Sequence, residues 1–192
     1  MTADDAAAFE RCIADGGVAV FPADTVYGLA CDPASARAVE RMYALKGRRP
    51  DKPSATMFFA RDQALATLPA LPRPTHDALV MLLPGPVTVV LAETGLRVPA
   101  LDGPLAPLRA VRHPVLQTSA NYAGGPDPRT LDEVPPDIRD GADVLLDGGP
   151  LPGTPSTVVD LRTFGTDGAW TVLREGAVSA EALAQSLSSV AP

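Results

Sequence analysis

Apolar side chains recur at helical spacing close to the N-terminus. Phe9, Cys12 and Ile13 fall at i, i+3 and i+4, which predicts a helix over residues 4–15 stopped by Gly16-Gly17. Val18-Ala19-Val20-Phe21 is an unbroken apolar run closed by Pro22, the pattern of a buried strand. Asp32-Pro33 reads as a helix start, a capping residue followed by proline at the first helical position. That helix carries Val39, Met42, Tyr43 and Lys46 on one side and ends at Gly47. Strands are predicted at 56–59, 87–91, 96–98, 115–119, 144–146, 157–161 and 170–173. Helices are predicted at 62–68, at 75–83 up to the Pro84-Gly85-Pro86 break, and at 179–187 with Ser179 as cap. Strand 115–119 leads into a small-residue turn, Ala120 to Gly125. Helices and strands interleave without repeat or linker, so one α/β domain over 1–192 is the expectation.

Composition narrows the class. A chain of 192 residues with 46% hydrophobic and 20% charged residues can bury a sizeable core. Its 21 prolines, without a Gly-X-Y period, mean fixed turns and interrupted helices. The net charge of −7 argues against a surface that grips nucleic acid as a whole, while leaving room for a local basic pocket. Cys12 and Cys31 give no disulfide framework and read as reduced core thiols, and with no signal peptide visible the expected compartment is cytoplasmic. The longest uncharged apolar stretch, 78–92, is cut by Pro84-Gly85-Pro86 and is too short to span a membrane.

Chemistry concentrates in four segments. In Lys46-Gly47-Arg48-Arg49-Pro50-Asp51-Lys52, four cations lie within seven residues of an acidic chain. They sit at a helix end, where cations are favourable on dipole grounds alone, yet a loop of lysine and arginine also suits a polyphosphate. Residues 21–29 follow a strand and are read as a loop before a helix; Thr25 and Tyr27 offer hydroxyls there, and Gly28 permits close backbone approach. Thr118-Ser119-Ala120-Asn121 and Gly153-Thr154-Pro155-Ser156-Thr157 can offer hydroxyls and N–H groups to an anion. A serine nucleophile with His113 as base competes weakly, because no Gly-x-Ser-x-Gly elbow is present. His76 and His113 lack the spacing of a metal site, so no metal-binding residue is assigned. Walker A and Gly-x-Gly-x-x-Gly patterns are absent.

Taken in order, seven segments resemble the YrdC-like family of threonylcarbamoyl-AMP synthases: Pro22 to Leu29, Lys46-Gly47-Arg48, Pro84 to Thr88, Leu96 to Pro99, Ser119-Ala120-Asn121, Ser156 to Asp160, and Leu173 to Gly176. The resemblance runs from about Gly17 to the end and looks like the short, single-domain form. It implies a twisted mixed β-sheet flanked by helices, with a concave basic face. The implied reaction joins L-threonine, bicarbonate (or CO2) and ATP into threonylcarbamoyl-adenylate and pyrophosphate, with Mg2+ assisting ATP. A tRNA threonylcarbamoyl transferase complex would take the product, and weak contact with tRNA or other double-stranded RNA is a further implication.

By the same resemblance Lys46, Arg48 and Lys52 contact the triphosphate, with Lys46 and Arg48 as catalytic cations; Thr88 lines the pocket, and Ser119, Asn121 and Arg174 hold the nucleotide. Thr25, Arg97 and Ser156 hold threonine, Arg97 by pairing its carboxylate. Departures from the family pattern fall on the threonine side. Ala23 replaces a threonine, Met57 stands where a histidine is usual, the His-Pro after Pro99 is missing, and Asp127 replaces a common serine. Lys52 occupies an asparagine position. Two other readings follow: a YrdC-like paralogue that binds nucleotide with a different or no threonine activity, and an RNA-binding module. Lys46→Ala is expected to abolish adenylate formation with the fold intact, as a helix-end cation on a solvated loop.

Overall fold

The computed structural model describes residues 1–47 and 54–192. Helix α1 (Ala3–Ala14) starts where Thr2 and Asp5 cap each other: Asp5 N–H donates to Thr2 Oγ1 at 3.2 Å and Thr2 N–H to Asp5 Oδ2 at 2.7 Å. It buries Ala6, Phe9 and Ile13, the face the periodicity marks. Strand β1 (Val18–Pro22) follows and is buried throughout. The loop read into residues 21–29 is then largely replaced by a strand. Tyr27–Cys31 forms β2, antiparallel to β1 with Pro22 opposite Tyr27, and only Ala23 to Val26 turn the chain. Every residue of β2 is buried, so neither alternation nor a polar face betrays it. Helix α2 (Ala36–Lys46) also starts later than Asp32-Pro33 suggests. Ser35 is its cap, its Oγ accepting from Ala38 N–H at 3.3 Å, while Asp32 makes a tight turn by accepting from Ala34 N–H at 2.8 Å. Gly47 ends α2 with φ 60°, a left-handed conformation that glycine adopts without strain.

After residue 54 come β3 (Ala55–Met57), α3 (Arg61–Thr67), α4 (Arg73–Leu82), β4 (Val87–Val90) and β5 (Gly95–Arg97). A 3-10 helix (Gly103–Ala110), β6 (Val115–Ser119), a 3-10 turn (Leu131–Glu133), α5 (Pro136–Asp140) and β7 (Val144–Leu145) continue the chain. It closes with β8 (Thr157–Asp160), α6 (Phe164–Asp167), β9 (Thr171–Arg174) and α7 (Ala180–Ser188). The two 3-10 segments, α5 and α6 have no counterpart in the sequence reading. They are short, and prolines at 104, 107, 135 and 136 stand where a helical period would otherwise declare itself.

Among the described residues the strands form one nine-stranded sheet in the order β7-β1-β2-β6-β3-β5-β4-β8-β9. Pairs β1/β7, β3/β5 and β4/β8 are parallel and the rest antiparallel, so the sheet is mixed, as expected. Helices pack it into two apolar clusters. One gathers Phe9, Phe21 and Phe59, with Phe9 lying 5.1 Å from Phe21 and 5.6 Å from Phe59 between ring centroids. The other joins Val87, Val89, Leu96 and Val159 to Leu79, Phe164 and Leu183 from α4, α6 and α7. Because side chains alternate along a strand, this second cluster covers one face of the β5-β4-β8 region. Their neighbours Thr88, Val90, Gly95, Arg97 and Val158 therefore face the other way, into a cavity.

Candidate active site

The cavity has a volume of about 510 Å³, the size of an ordinary small-molecule site. Its floor is the exposed face of β6, β3, β5, β4 and β8. Ala55 and Gly95 keep that floor low; a Cβ on Gly95 would sit 2.8 Å from Thr88 Cγ2. Charged lining residues among those described are Lys46, Arg97, Arg162 and Arg174, against Glu93. A basic hollow in a chain of net charge −7 is a local field built for an anion.

Lys46 closes one end, and here the expectation of a solvated helix-end cation fails. The side chain is 4% exposed. Its Nζ donates to the Ser119 carbonyl at 2.6 Å, the Asn121 carbonyl at 2.9 Å and Asn121 Oδ1 at 2.6 Å, with Ser119 Oγ at 3.3 Å. The sheet register explains the inward turn: Ser119 ends β6 opposite Gly28, and Ala123 N–H returns to the Lys46 carbonyl at 3.1 Å. Ser119 Oγ donates to Asn121 Oδ1 at 2.7 Å, and Asn121 Nδ2 donates to the Gly125 carbonyl at 2.6 Å and Asp127 Oδ1 at 3.3 Å. Lys46, Ser119 and Asn121 are thus one preorganised unit on the cavity wall. Arg48 and Lys52, the other two cations assigned to the triphosphate, lie outside the described residues.

Arg97 occupies the floor and is 3% exposed. It is salt-bridged to Asp24, and its Nη2 also donates to Thr25 Oγ1 at 2.6 Å. Asp24 Oδ2 in turn accepts from Ala100 N–H at 2.9 Å. Burial pulls the Arg97 pKa below the ordinary guanidinium value, and the Asp24 charge opposes that pull. Its Nε is fully enclosed and has no hydrogen-bond partner. Thr25 does not line the cavity; it is buried behind Arg97 and acts on the site through it. Ala23 and Met57 are both fully buried in the first apolar cluster and bring no polar group to the cavity.

The third group spans β4, β8 and β9. Thr88 Oγ1 and Ser156 Oγ lie 2.9 Å apart, and Arg174 Nη2 donates to the Ser156 carbonyl at 2.6 Å. Val158 pairs with Arg174 but Val159 with Val172, so Leu173 is an extra residue bulged out of β9. The bulge places consecutive residues, Leu173 and Arg174, against the same cavity, which a regular strand could not do. The structure thus brings Lys46, Ser119, Asn121, Thr88, Ser156, Arg97 and Arg174 to one hollow.

Sequence reasoning missed Asp24 as the partner of Arg97, Gln117 on the floor, and Leu173 and Arg162 on the rim. Gln117 and Ser119 share one phase of β6, a signal available from the strand itself. Arg162 is clamped by Asp160, with Nε 3.0 Å from both carboxylate oxygens, and holds that carboxyl below the usual carboxylate range. His113 stands outside the cavity, its Nε2 3.4 Å from Asp32 Oδ1, so it serves no serine in this site. Cys31 is buried and Cys12 partly so; burial raises their thiols to about 12 and about 11 respectively, well above neutral pH. Among the described residues no group of three or more His, Cys, Asp or Glu could hold a metal ion, and no helix is long and apolar enough to cross a membrane.

The family model Sua5_yciO_yrdC, described as telomere recombination, matches residues 11–176. A threonylcarbamoyl-AMP synthase of Nitrosococcus oceani is 36% identical over 171 residues, covering 80% of this chain and 91% of the relative. One of Pyrococcus abyssi is 28% identical over 167 residues, covering 79% of this chain and 49% of the relative. The chain therefore spans about half the length of the archaeal protein and nearly all of the bacterial one. The crystal structure of P. abyssi Sua5 complexed with L-threonine superposes with a TM-score of 0.84 at 25% identity, over 100% of this chain and 59% of that one. E. coli YciO shares the fold with a TM-score of 0.78 at 24% identity, over 95% of this chain and 94% of its own.

Proposed function

The chain belongs to the Sua5/YciO/YrdC family, and on that premise we propose that it is an L-threonylcarbamoyladenylate synthase. The observation that carries this is the single hollow lined by two separate polar systems, Lys46 with Ser119 and Asn121 at one end, and Arg97 with Thr88, Ser156 and Arg174 across the floor. Two anionic substrates need two such systems. The first, with Arg174 across the floor, suits the nucleotide, and Arg97 with Ser156 suits an amino acid whose carboxylate pairs with the guanidinium.

The chemistry asks for positioning rather than for a protein nucleophile. The threonine amine, having lost its ammonium proton to solvent, adds to CO2 and releases a second proton to give a carbamate. A carbamate oxygen then bonds to the α-phosphorus of ATP while the bond to the bridging oxygen of pyrophosphate breaks. Both reactants are negative, so the lining cations lower their repulsion and stabilise the departing charge. Holding two substrates in line contributes up to about 7–11 kcal/mol in favourable cases. ATP enters as its magnesium complex. The described lining, cations and hydroxyls with Glu93 as its one acid, suits a metal carried in on the triphosphate. Arg48 and Lys52 complete the triphosphate contacts in this reading. The adenylate is a mixed anhydride and passes to a tRNA threonylcarbamoyl transferase; with a net charge of −7, contact with tRNA itself is weak and salt-sensitive.

The test is pyrophosphate release from ATP by the purified chain, with and without L-threonine and bicarbonate, alongside mass detection of threonylcarbamoyl-adenylate. Release that requires both co-substrates is the expected result. Turnover indifferent to threonine sinks the proposal.

A further inference from the structure

Gln117 is a buried carboxamide that the protein itself does not use. It lies in the middle of β6, is 6% exposed, and lines the cavity. Its side chain makes no hydrogen bond to any described residue, although Lys46, Ser119 and Asn121 close by are densely bonded. The space it occupies is prepared for it. Its register neighbours are Ala30 on β2 and Ala55 on β3, and Nε2 sits 2.8 Å from the point where a Cβ on Gly28 would stand. Unlike Arg97 Nε, its carboxamide is not fully enclosed and opens onto the cavity, where a ligand can pair it. A carboxamide held on a cavity floor without a protein partner is placed for a ligand.

The register says which part of a ligand. On the face of β6 that carries Gln117, Ser119 is the next residue in one direction and belongs to the Lys46–Asn121 unit. In the other direction Val115 pairs with Met57, which pairs with Arg97. Gln117 is therefore between the end of the cavity suited to the nucleotide and the guanidinium suited to the amino-acid carboxylate. The group that joins those two ends is the carbamate, which presents an N–H donor and an oxygen acceptor together. A neutral carboxamide offers the complementary pair, Nε2–H to the carbamate oxygen and Oε1 to its N–H.

We propose that Gln117 positions the carbamate between threonine and the α-phosphate, by contact with it rather than through another side chain. This rests on the synthase reading above. The full-length chain carrying Gln117→Leu, and separately the isosteric Gln117→Glu, is compared with the wild type. The readouts are steady-state pyrophosphate release against L-threonine and bicarbonate, and calorimetric affinity for a non-hydrolysable ATP analogue. Both variants are expected to keep analogue affinity within about twofold, while kcat/KM for threonine falls roughly tenfold or more. In Gln117→Glu the deficit shrinks as pH falls, because the introduced carboxylate repels the carbamate only while ionised. Should the leucine variant fail to fold, the glutamate variant alone carries the comparison. Wild-type turnover in either folded variant overturns the role of Gln117, as does a loss of analogue affinity equal to the loss for threonine. Wild-type protein without threonine-dependent release overturns the synthase reading itself, a result distinct from a wild-type enzyme that both variants match.

Discussion

The Nζ of Lys46, in the last turn of α2, lies 2.6 Å from Oδ1 of Asn121, two residues beyond the end of β6. The contact ties a helix end to the turn after β6, 75 residues away in the chain. An ammonium so placed is a structural tie as well as a charge on the cavity wall. Lys46→Met keeps the aliphatic stem and removes the donors. It is expected to lower stability by about 1–3 kcal/mol, the usual cost of stranding buried acceptors, to loosen the Ser119 and Asn121 side chains and, on the synthase reading, to weaken nucleotide affinity. Urea denaturation read beside nucleotide affinity checks this; an unchanged urea midpoint contradicts it.

The Asp24–Arg97 pair is buried on both sides, so its halves are unequal only in what they leave behind. Asp24→Ala strands a guanidinium in the core and is expected to cost about 3–5 kcal/mol. Replacing Asp24 and Arg97 together by apolar residues should restore much of that stability without restoring activity. Thermal melts of the two single variants and the double variant decide the point. Additive losses in the double variant count against a coupled pair.

Gly28 is needed for space rather than for backbone conformation. A Cβ there would stand 2.8 Å from Gln117 Nε2, 3.1 Å from Phe21 Cε1 and 3.2 Å from the Thr118 carbonyl. Gly28→Ala is expected to destabilise by about 1–3 kcal/mol as an overpacked site, and to push the Gln117 carboxamide off the floor. A variant as stable and as active as the wild type would show that the strands yield freely.

Alkaline sensitivity follows from two buried groups. Burial pushes the Cys31 thiol from an ordinary 9.0 to about 12 and the Tyr27 hydroxyl from 10.0 to about 12. Both are neutral acids whose folded pKa is raised, so the unfolded chain loses those protons first as pH climbs. Their stabilising contribution is complete below pH 9, the ordinary thiol value, and is lost progressively toward pH 12. The urea midpoint should therefore hold below about pH 9 and fall as pH rises toward about 12, and Cys31→Ala should shrink that fall. Iodoacetamide should leave Cys31 unmodified in the native protein and label it in urea.

The sheet was legible wherever one face of a strand meets a helix. The alternation in Val87-Thr88-Val89 marks β4 and already separates core from cavity. It failed at β2, where Tyr27 to Cys31 are covered on both faces and no period survives. Lys46, Ser119, Asn121 and Ser156 could be picked out because they lie in segments rich in cations or small hydroxyls, whereas Thr88, Arg97 and Arg174 were reached only through the family resemblance. Asp24 was missed, because in the sequence it is one acid in a turn, and only the fold sets it beside an arginine 73 residues on. Lys46 was found as a cation but misjudged as exposed, since nothing local to a helix terminus announces that a distant strand will arrive over it.

The extra residue in β9 has an effect at the outer boundary of the sheet. A growing fibril or a second copy of this chain recruits a neighbour through a straight rail of free backbone donors and acceptors. At β9 that rail is bent by Leu173, and at the opposite border β7 runs for only two residues. Neither border offers the uniform spacing that strand addition requires. The kink that turns two side chains toward the cavity also interrupts the open edge of a broad, nine-stranded sheet where another strand would otherwise add.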